Sequence, residues 1–155
     1  MKARNTLGFT LVELIVVIIL LAIISAYAAS RYIGVGSFTA FAIQDSVISI
    51  ARQIQLNRMQ SNTQTLTDDV ILSISPTCFG SKASCDTPSD SRSDWVMEEG
   101  VRFSAKPNLN IIEFDLLGSP LGAASAGVAI TVHGTNSQTQ LSICPNGLIS
   151  SSECY

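Results

Sequence analysis

Between Leu11 and Ala29 lie 19 residues whose one charge is Glu13, and ten of them, Ile15 to Ile24, form an unbroken apolar run. As a helix rising about 1.5 Å per residue, the stretch is roughly 28 Å long, close to the hydrocarbon thickness of a bilayer. All but Glu13 and Ser25 of these 19 residues are hydrophobic, against 46% for the whole chain, and the rest of its 155 residues is enough for one compact domain. Ahead of the run, residues 1–8 carry Lys2 and Arg4 and no acid. The positive-inside tendency therefore places this end in the cytoplasm and exports everything after Ala29. A secretory signal has a shorter apolar region followed by a small-residue cleavage site. Ser25-Ala26-Tyr27-Ala28-Ala29 offers small residues for such a cut, but this apolar run is longer, and the expected processing point lies in front of it.

At the junction stands Gly8-Phe9-Thr10-Leu11-Val12-Glu13-Leu14. The segment resembles the N-terminus of type IV prepilins and type II secretion pseudopilins at every position of their cleavage and assembly motif. The resemblance implies that a membrane-embedded prepilin peptidase cuts between Gly8 and Phe9 and methylates the new amine of Phe9. It further implies that Glu13 neutralises the amine of an adjacent subunit and sets its register. Charge physics points the same way: a carboxylate at mid-membrane costs about 2.5–3.5 kcal/mol on insertion scales, so an intramembrane acid calls for a partner. Cleavage creates one, since the Phe9 amine would sit four residues before Glu13 on the same helix face. Members of the family often carry a proline at the position of Ser30. Here Gly34 and Gly36 are the nearest helix-weakening residues, each costing about 1 kcal/mol relative to alanine, and a bend or melted segment is expected near Gly34 to Ser37.

Beyond the glycines, Ile43, Val47, Ile50 and Ile54 recur at spacings of four, three and four, one stripe of an amphipathic helix. Gln44, Asp45, Arg52, Gln53, Gln55, Asn57 and Arg58 occupy its other faces, and the polar run Ser61-Asn62-Thr63-Gln64 ends it. The two stripes predict one helix of about fifty residues, half in the membrane and half packed on a head. From Leu66 onward the period shortens, and strands are expected at Val70–Ser75, Trp95–Met97, Val101–Phe103, Ile111–Phe114, Val128–Val132 and Gln140–Cys144. Gly134-Thr135-Asn136-Ser137 would turn the last two into a hairpin. In Phe114-Asp115-Leu116-Leu117-Gly118-Ser119-Pro120, Asp115 is expected to fix a tight turn through a backbone hydrogen bond. The same segment is similar to one in minor pilins and pseudopilins of the GspH/FimT group. Ile48 to Ser61 and the paired cysteines are most similar to an MSHA (mannose-sensitive haemagglutinin) pilus minor pilin of MshC type. The fold class is α+β, a long helix on a mostly antiparallel sheet, divided into a leader at 1–8, a transmembrane segment at 9–29, an exported helical half at 30–61 and a β-rich head at 62–155.

Four cysteines, Cys78, Cys85, Cys144 and Cys154, all fall in the exported part. An even number in an oxidising compartment reads as two disulfides with three possible connectivities, of which local pairing closes the shortest loops. Zinc is disfavoured because six and nine residues separate the members of each pair, against two to four in common zinc motifs. His133 is the one histidine and is expected at an exposed hairpin edge, so no nucleophile triad assembles without it. Asp86, Asp90 and Asp94, spaced by four, do not form a calcium loop and read as a solvated segment, as does Asp68-Asp69. Trp95 reads as a core anchor, with a subunit contact as the alternative. No catalytic residue, metal or cofactor is expected, so the chain is not read as an enzyme.

With Lys2 and Arg4 removed, the nine basic residues fall to seven against twelve acids, about −5, which disfavours a nucleic-acid partner. Taken together, the resemblance implies a minor pilin of an MSHA-like type IV pilus. Such a subunit would wait in the inner membrane of a Gram-negative bacterium with a periplasmic head and then enter a filament that supports surface attachment. The implied partners are the prepilin peptidase, other pilin subunits and an inner-membrane assembly platform with its ATPase. The alternatives are a minor pseudopilin of a type II secretion system and a DNA-uptake minor pilin.

Overall fold

The structure is a computed structural model that describes residues 9–35 and 39–154. The chain divides into two units at Val35, and each is treated by itself. The first is one helix, α1, Leu11–Val35. Its first 19 residues have a mean hydropathy of 2.8 and none is buried, so it is long and apolar enough to cross a membrane. Gly34 is still helical, while Gly36 and Ser37, the rest of the expected break, lie outside the described residues, as do the leader 1–8 and its Gly8.

The second unit opens on helix α2, Thr39–Gln60. Val47, Ile50 and Ile54 of the expected stripe are buried and Ile43 packs partly against the core, joined by Ala40, Ile48 and Ala51. Arg58 departs from the expected polar face and is buried. Its Nε donates to the Phe114 carbonyl at 3.1 Å, and its Nη1 donates to the Thr63 carbonyl and Ser61 Oγ at 2.8 and 2.9 Å. A guanidinium at the helix C-terminus thus saturates carbonyls that would otherwise lack donors, which is why a charge is tolerated there.

Two four-stranded antiparallel sheets follow. The first has the order β3-β2-β1-β5, from β1 (Leu72–Ile74), β2 (Phe79–Ser81), β3 (Trp95–Val96) and β5 (Ile111–Ile112). The second has the order β4-β6-β7-β8, from β4 (Arg102–Lys106), β6 (Val128–His133), β7 (Gln138–Ile143) and β8 (Ile149–Ser150). Strands β6 and β7 form the expected hairpin, with Val128 opposite Ile143 and His133 opposite Gln138. In β6, Val128, Ile130 and Val132 point inward and alternate with partly exposed Ala129, Thr131 and His133, the period-two pattern of a sheet with one solvated face. The inward residues join Phe79, Phe103, Leu141 and the α2 stripe in one core. The mostly antiparallel α+β architecture expected from the sequence is present.

Several elements differ from expectation. Strands β2 and β8 and the short helix α3 (Lys82–Asp86) were not anticipated. Val70 belongs to a 3-10 turn rather than to β1, and Phe114 makes an isolated bridge to Pro120 rather than extending β5. Gly80 in β2 is required by crowding, because a Cβ there would lie 2.5 Å from the Asp94 carbonyl oxygen and from Trp95 Cα.

Candidate functional site

The N-terminal site begins with Thr10, whose Oγ1 accepts a hydrogen bond from the Glu13 backbone N–H at 3.2 Å, while its carbonyl accepts from Leu14 N at 3.2 Å. Thr10 is therefore the N-cap of α1, and Thr10-Leu11-Val12-Glu13 has the spacing of a capping box. That role was missed in reading the sequence, although the T-x-x-E signal was present. Glu13 lies in the first turn, where the helix dipole favours a negative charge. Phe9 is 81% exposed and precedes the helix. Helix formation starts at Leu11, so in the uncut chain Phe9 lies ahead of the helix, and the amine expected to pair with Glu13 arises only on cleavage.

In the head, Cys78 is bonded to Cys85 and Cys144 to Cys154. Next to the first bridge lies an ion-pair cluster that the sequence reading had placed in a solvated loop. Asp94 is buried, and its Oδ1 accepts from Ser84 Oγ at 2.7 Å and Arg92 Nε at 3.0 Å, while Oδ2 accepts from Arg92 Nη2 at 2.6 Å. Arg92 also reaches Asp69 at 2.7 Å, and Lys82 reaches Asp68 and Asp86 at 3.2 and 2.8 Å. The Arg92 guanidinium holds the Asp94 carboxyl well below the usual carboxylate range against the opposing effect of burial. Every carboxylate of the cluster is used in a salt bridge, and no group of three or more His, Cys, Asp or Glu able to hold a metal occurs among the described residues. The cluster is a fastening between the 3-10 turn at Asp68–Val70, α3 and the loop into β3.

Asp115 Oδ1 accepts from Leu117 N and Ser119 N at 2.9 and 2.8 Å, the turn-fixing role expected of it. Gln55 Nε2 then donates to the carbonyls of Gly118 and Gly147 at 2.7 and 2.6 Å, so two reverse turns are tied to α2. His133 Nε2 lies 2.9 Å from Ser104 Oγ on the outer face of the second sheet. His133 is half-buried rather than fully exposed, and among the described residues no carboxylate orients its other ring nitrogen, so the pair lacks the third member of a hydrolytic triad there. Trp95 is half-buried, stands outside the core cluster, and donates from Nε1 to the Ser89 carbonyl at 3.2 Å. It lines a groove of about 480 Å³ with Asp45, Ser46, Ser49 and Val96.

The family model described as the prokaryotic N-terminal methylation motif matches residues 3–29. The match spans the segment Gly8–Leu14 on which the sequence resemblance rests. No curated protein matches the chain. Among solved structures, the type IV minor pilin FimU of Pseudomonas aeruginosa PAO1 is similar in two crystal forms. One shares 13% identity, covers 73% of this chain and 90% of that one, and superposes with a TM-score of 0.44. The other shares 15% identity, covers 69% and 90%, and has a TM-score of 0.42. At these values the likeness is a distant one.

Proposed function

We propose that this chain is a minor subunit of a type IV pilus-like filament, cut between Gly8 and Phe9, methylated on Phe9 and polymerised through α1. The observation that carries the reading is the placement of Gly8-Phe9-Thr10-Leu11-Val12-Glu13 at the head of a 19-residue helical apolar span. An acid in that position is costly in lipid and becomes favourable once an amine is supplied. The precursor would rest in the inner membrane with its head in the periplasm, the compartment in which Cys78–Cys85 and Cys144–Cys154 persist. Its partners would be a prepilin peptidase, other pilins and an assembly platform. An MSHA-type pilus and surface attachment are the finer assignment, resting on the resemblance at Ile48–Ser61. No reaction is assigned to the chain.

The function is tested in a host that makes the filament. Sheared filaments are probed for the chain carrying Glu13 and for Glu13→Ala, with membrane levels of both measured. The wild-type chain is expected in the filament fraction, and Glu13→Ala is expected to remain in the membrane at normal abundance. Equal incorporation of the two would refute the proposed role of the carboxylate.

A further inference from the structure

Strand β3 is an edge of the first sheet, and α2 packs beside it. The groove of about 480 Å³ at this junction is lined by Asp45, Ser46 and Ser49 of α2 and by Ser93, Trp95 and Val96 at β3. Asp45 and Ser49 stand four residues apart and so share one face of the helix. Asp45 and the three serines are exposed, while Trp95 and Val96 are half-buried. Each lining group is thus open to a ligand from solvent, and the two half-buried side chains give the groove an apolar wall.

The chemistry of this lining is one-sided. Among the described residues, the Asp45 carboxylate and the Ser46, Ser49 and Ser93 hydroxyls have no hydrogen-bond or ion-pair partner. Trp95 gives its N–H to the Ser89 carbonyl, so the indole has no donor left and offers the groove its electron-rich ring. The cations that flank the lining in the chain are turned elsewhere. Arg92, next to Ser93, is held by Asp69 and Asp94. Arg52, seven residues beyond Asp45 and about 10 Å along the helix, donates to the Ile149 carbonyl at 2.7 Å. Two other concavities differ in this respect, since Lys106 lies with Glu153 in one and Arg52 with Asp45 in the other. The Trp95 groove combines a free carboxylate, hydroxyl lone pairs and an aromatic ring, with no cation in its lining.

We infer that this groove binds a small organic cation, a primary alkylammonium with a short hydrocarbon stem. An ammonium head carries three N–H donors and no acceptor, and the Asp45 carboxylate and serine hydroxyls supply acceptors for them. The stem packs on Val96 and the indole, and the positive charge is attracted by the ring. A neutral sugar would use the hydroxyls and the ring but leave the carboxylate uncompensated, and an anion would be repelled by it. A lysine presented by a protein has the same head group. The lining favours the free amine, because exposed serines and one half-buried aromatic supply little of the apolar core on which a stable protein contact is built. Exposed ion pairs and exposed cation–π contacts are each weak, which places the affinity in the millimolar range. The site is independent of α1 and of cleavage at Gly8.

The test is a titration of the full chain in nonionic detergent micelles with n-butylammonium, set against n-butanol, butyrate and glucose. Trp95 is the single tryptophan, so its emission reports occupancy directly, and line broadening of the butyl protons in NMR gives a second readout. Butylammonium is expected to shift the emission saturably, more weakly as salt rises, while the three controls do not. Asp45→Asn is expected to raise the Kd at least about threefold, and Trp95→Phe is expected to weaken the NMR effect. Circular dichroism checks the fold of both variants, and Asp45→Asn alone decides the matter if Trp95→Phe unfolds. No saturable response to butylammonium overturns the inference, as does an equal response to butanol or an affinity indifferent to Asp45→Asn. Saturable binding of glucose that butylammonium does not displace overturns it in favour of a sugar site. A lysine-bearing peptide that binds at least about tenfold tighter than butylammonium overturns the small-molecule assignment in favour of a protein ligand. Filament entry and Phe9 processing are not read by this experiment, so its failure leaves the proposed function standing.

Discussion

Replacing Asp94 with alanine removes the acceptor on which Arg92 Nε, Arg92 Nη2 and Ser84 Oγ converge. The fully buried Ser84 hydroxyl then has no acceptor, a cost of about 1–3 kcal/mol. Arg92 keeps Asp69 and is 36% exposed, so its share is nearer the ~0.5–1 kcal/mol of an exposed pair than the ~3–5 kcal/mol of a fully buried one. Asp94→Ala is therefore expected to destabilise the head by about 2–4 kcal/mol, a fall of roughly 4–15 °C in Tm. Asp94→Asn retains an acceptor for Ser84 and should lose about half as much. Trp95, the single tryptophan, adjoins the cluster and reports denaturant unfolding by its emission. Because the folded-state pKa of Asp94 lies below its ordinary value near 3.8, its contribution is full above the unfolded pKa and is lost as pH falls through the folded one. The gap between the wild-type chain and Asp94→Asn should hold steady above about pH 5 and shrink toward about pH 2. An Asp94→Ala variant within about 0.5 kcal/mol of the wild-type chain would refute the reasoning, as would a gap indifferent to acid.

Three further outcomes follow from the same structure. Gln55→Ala frees the Gly118 and Gly147 turns together and should cost about 1–3 kcal/mol in urea unfolding, with protease cuts appearing at both turns. Gly80→Ala places a methyl group against the backbone of β3 and should cost more than about 3 kcal/mol, read as lost Trp95 burial in fluorescence quenching. Replacing Cys144 and Cys154 with serine opens a ten-residue separation and should lower stability by about 2–3 kcal/mol, measured by thermal unfolding against the intact chain.

The long periods were the readable part of the sequence. A 19-residue apolar span and the Val47, Ile50, Ile54 stripe each repeat a local rule often enough to declare a helix, and alternation at Val128–Val132 declares a buried strand face. Strand β2 escaped because Phe79-Gly80-Ser81 has no period of its own and is a strand through pairing with β1 and β3 on either side. Asp94 was misplaced for a related reason. Its Ser-rich surroundings signal a solvated loop, and the Ser84 hydroxyl and Arg92 guanidinium that offset its burial are brought to it by α3 and by the chain's return toward β3. Arg58 sits at a polar position of the helical pattern, and only the approach of Phe114 and Thr63 turns that position inward. At the N-terminus the helix start escaped the hydrophobic pattern, because it is marked by Thr10, one side chain capping one N–H.

The most direct trial of the account is mass spectrometry of the mature chain from native membranes or filaments. The account requires a chain that begins at Phe9 with one added methyl on its amine, and an uncut chain when Gly8 is replaced by a bulky residue. A filament-borne chain that still carries residues 1–8 would contradict it, because the amine that Glu13 is proposed to meet would never have been made.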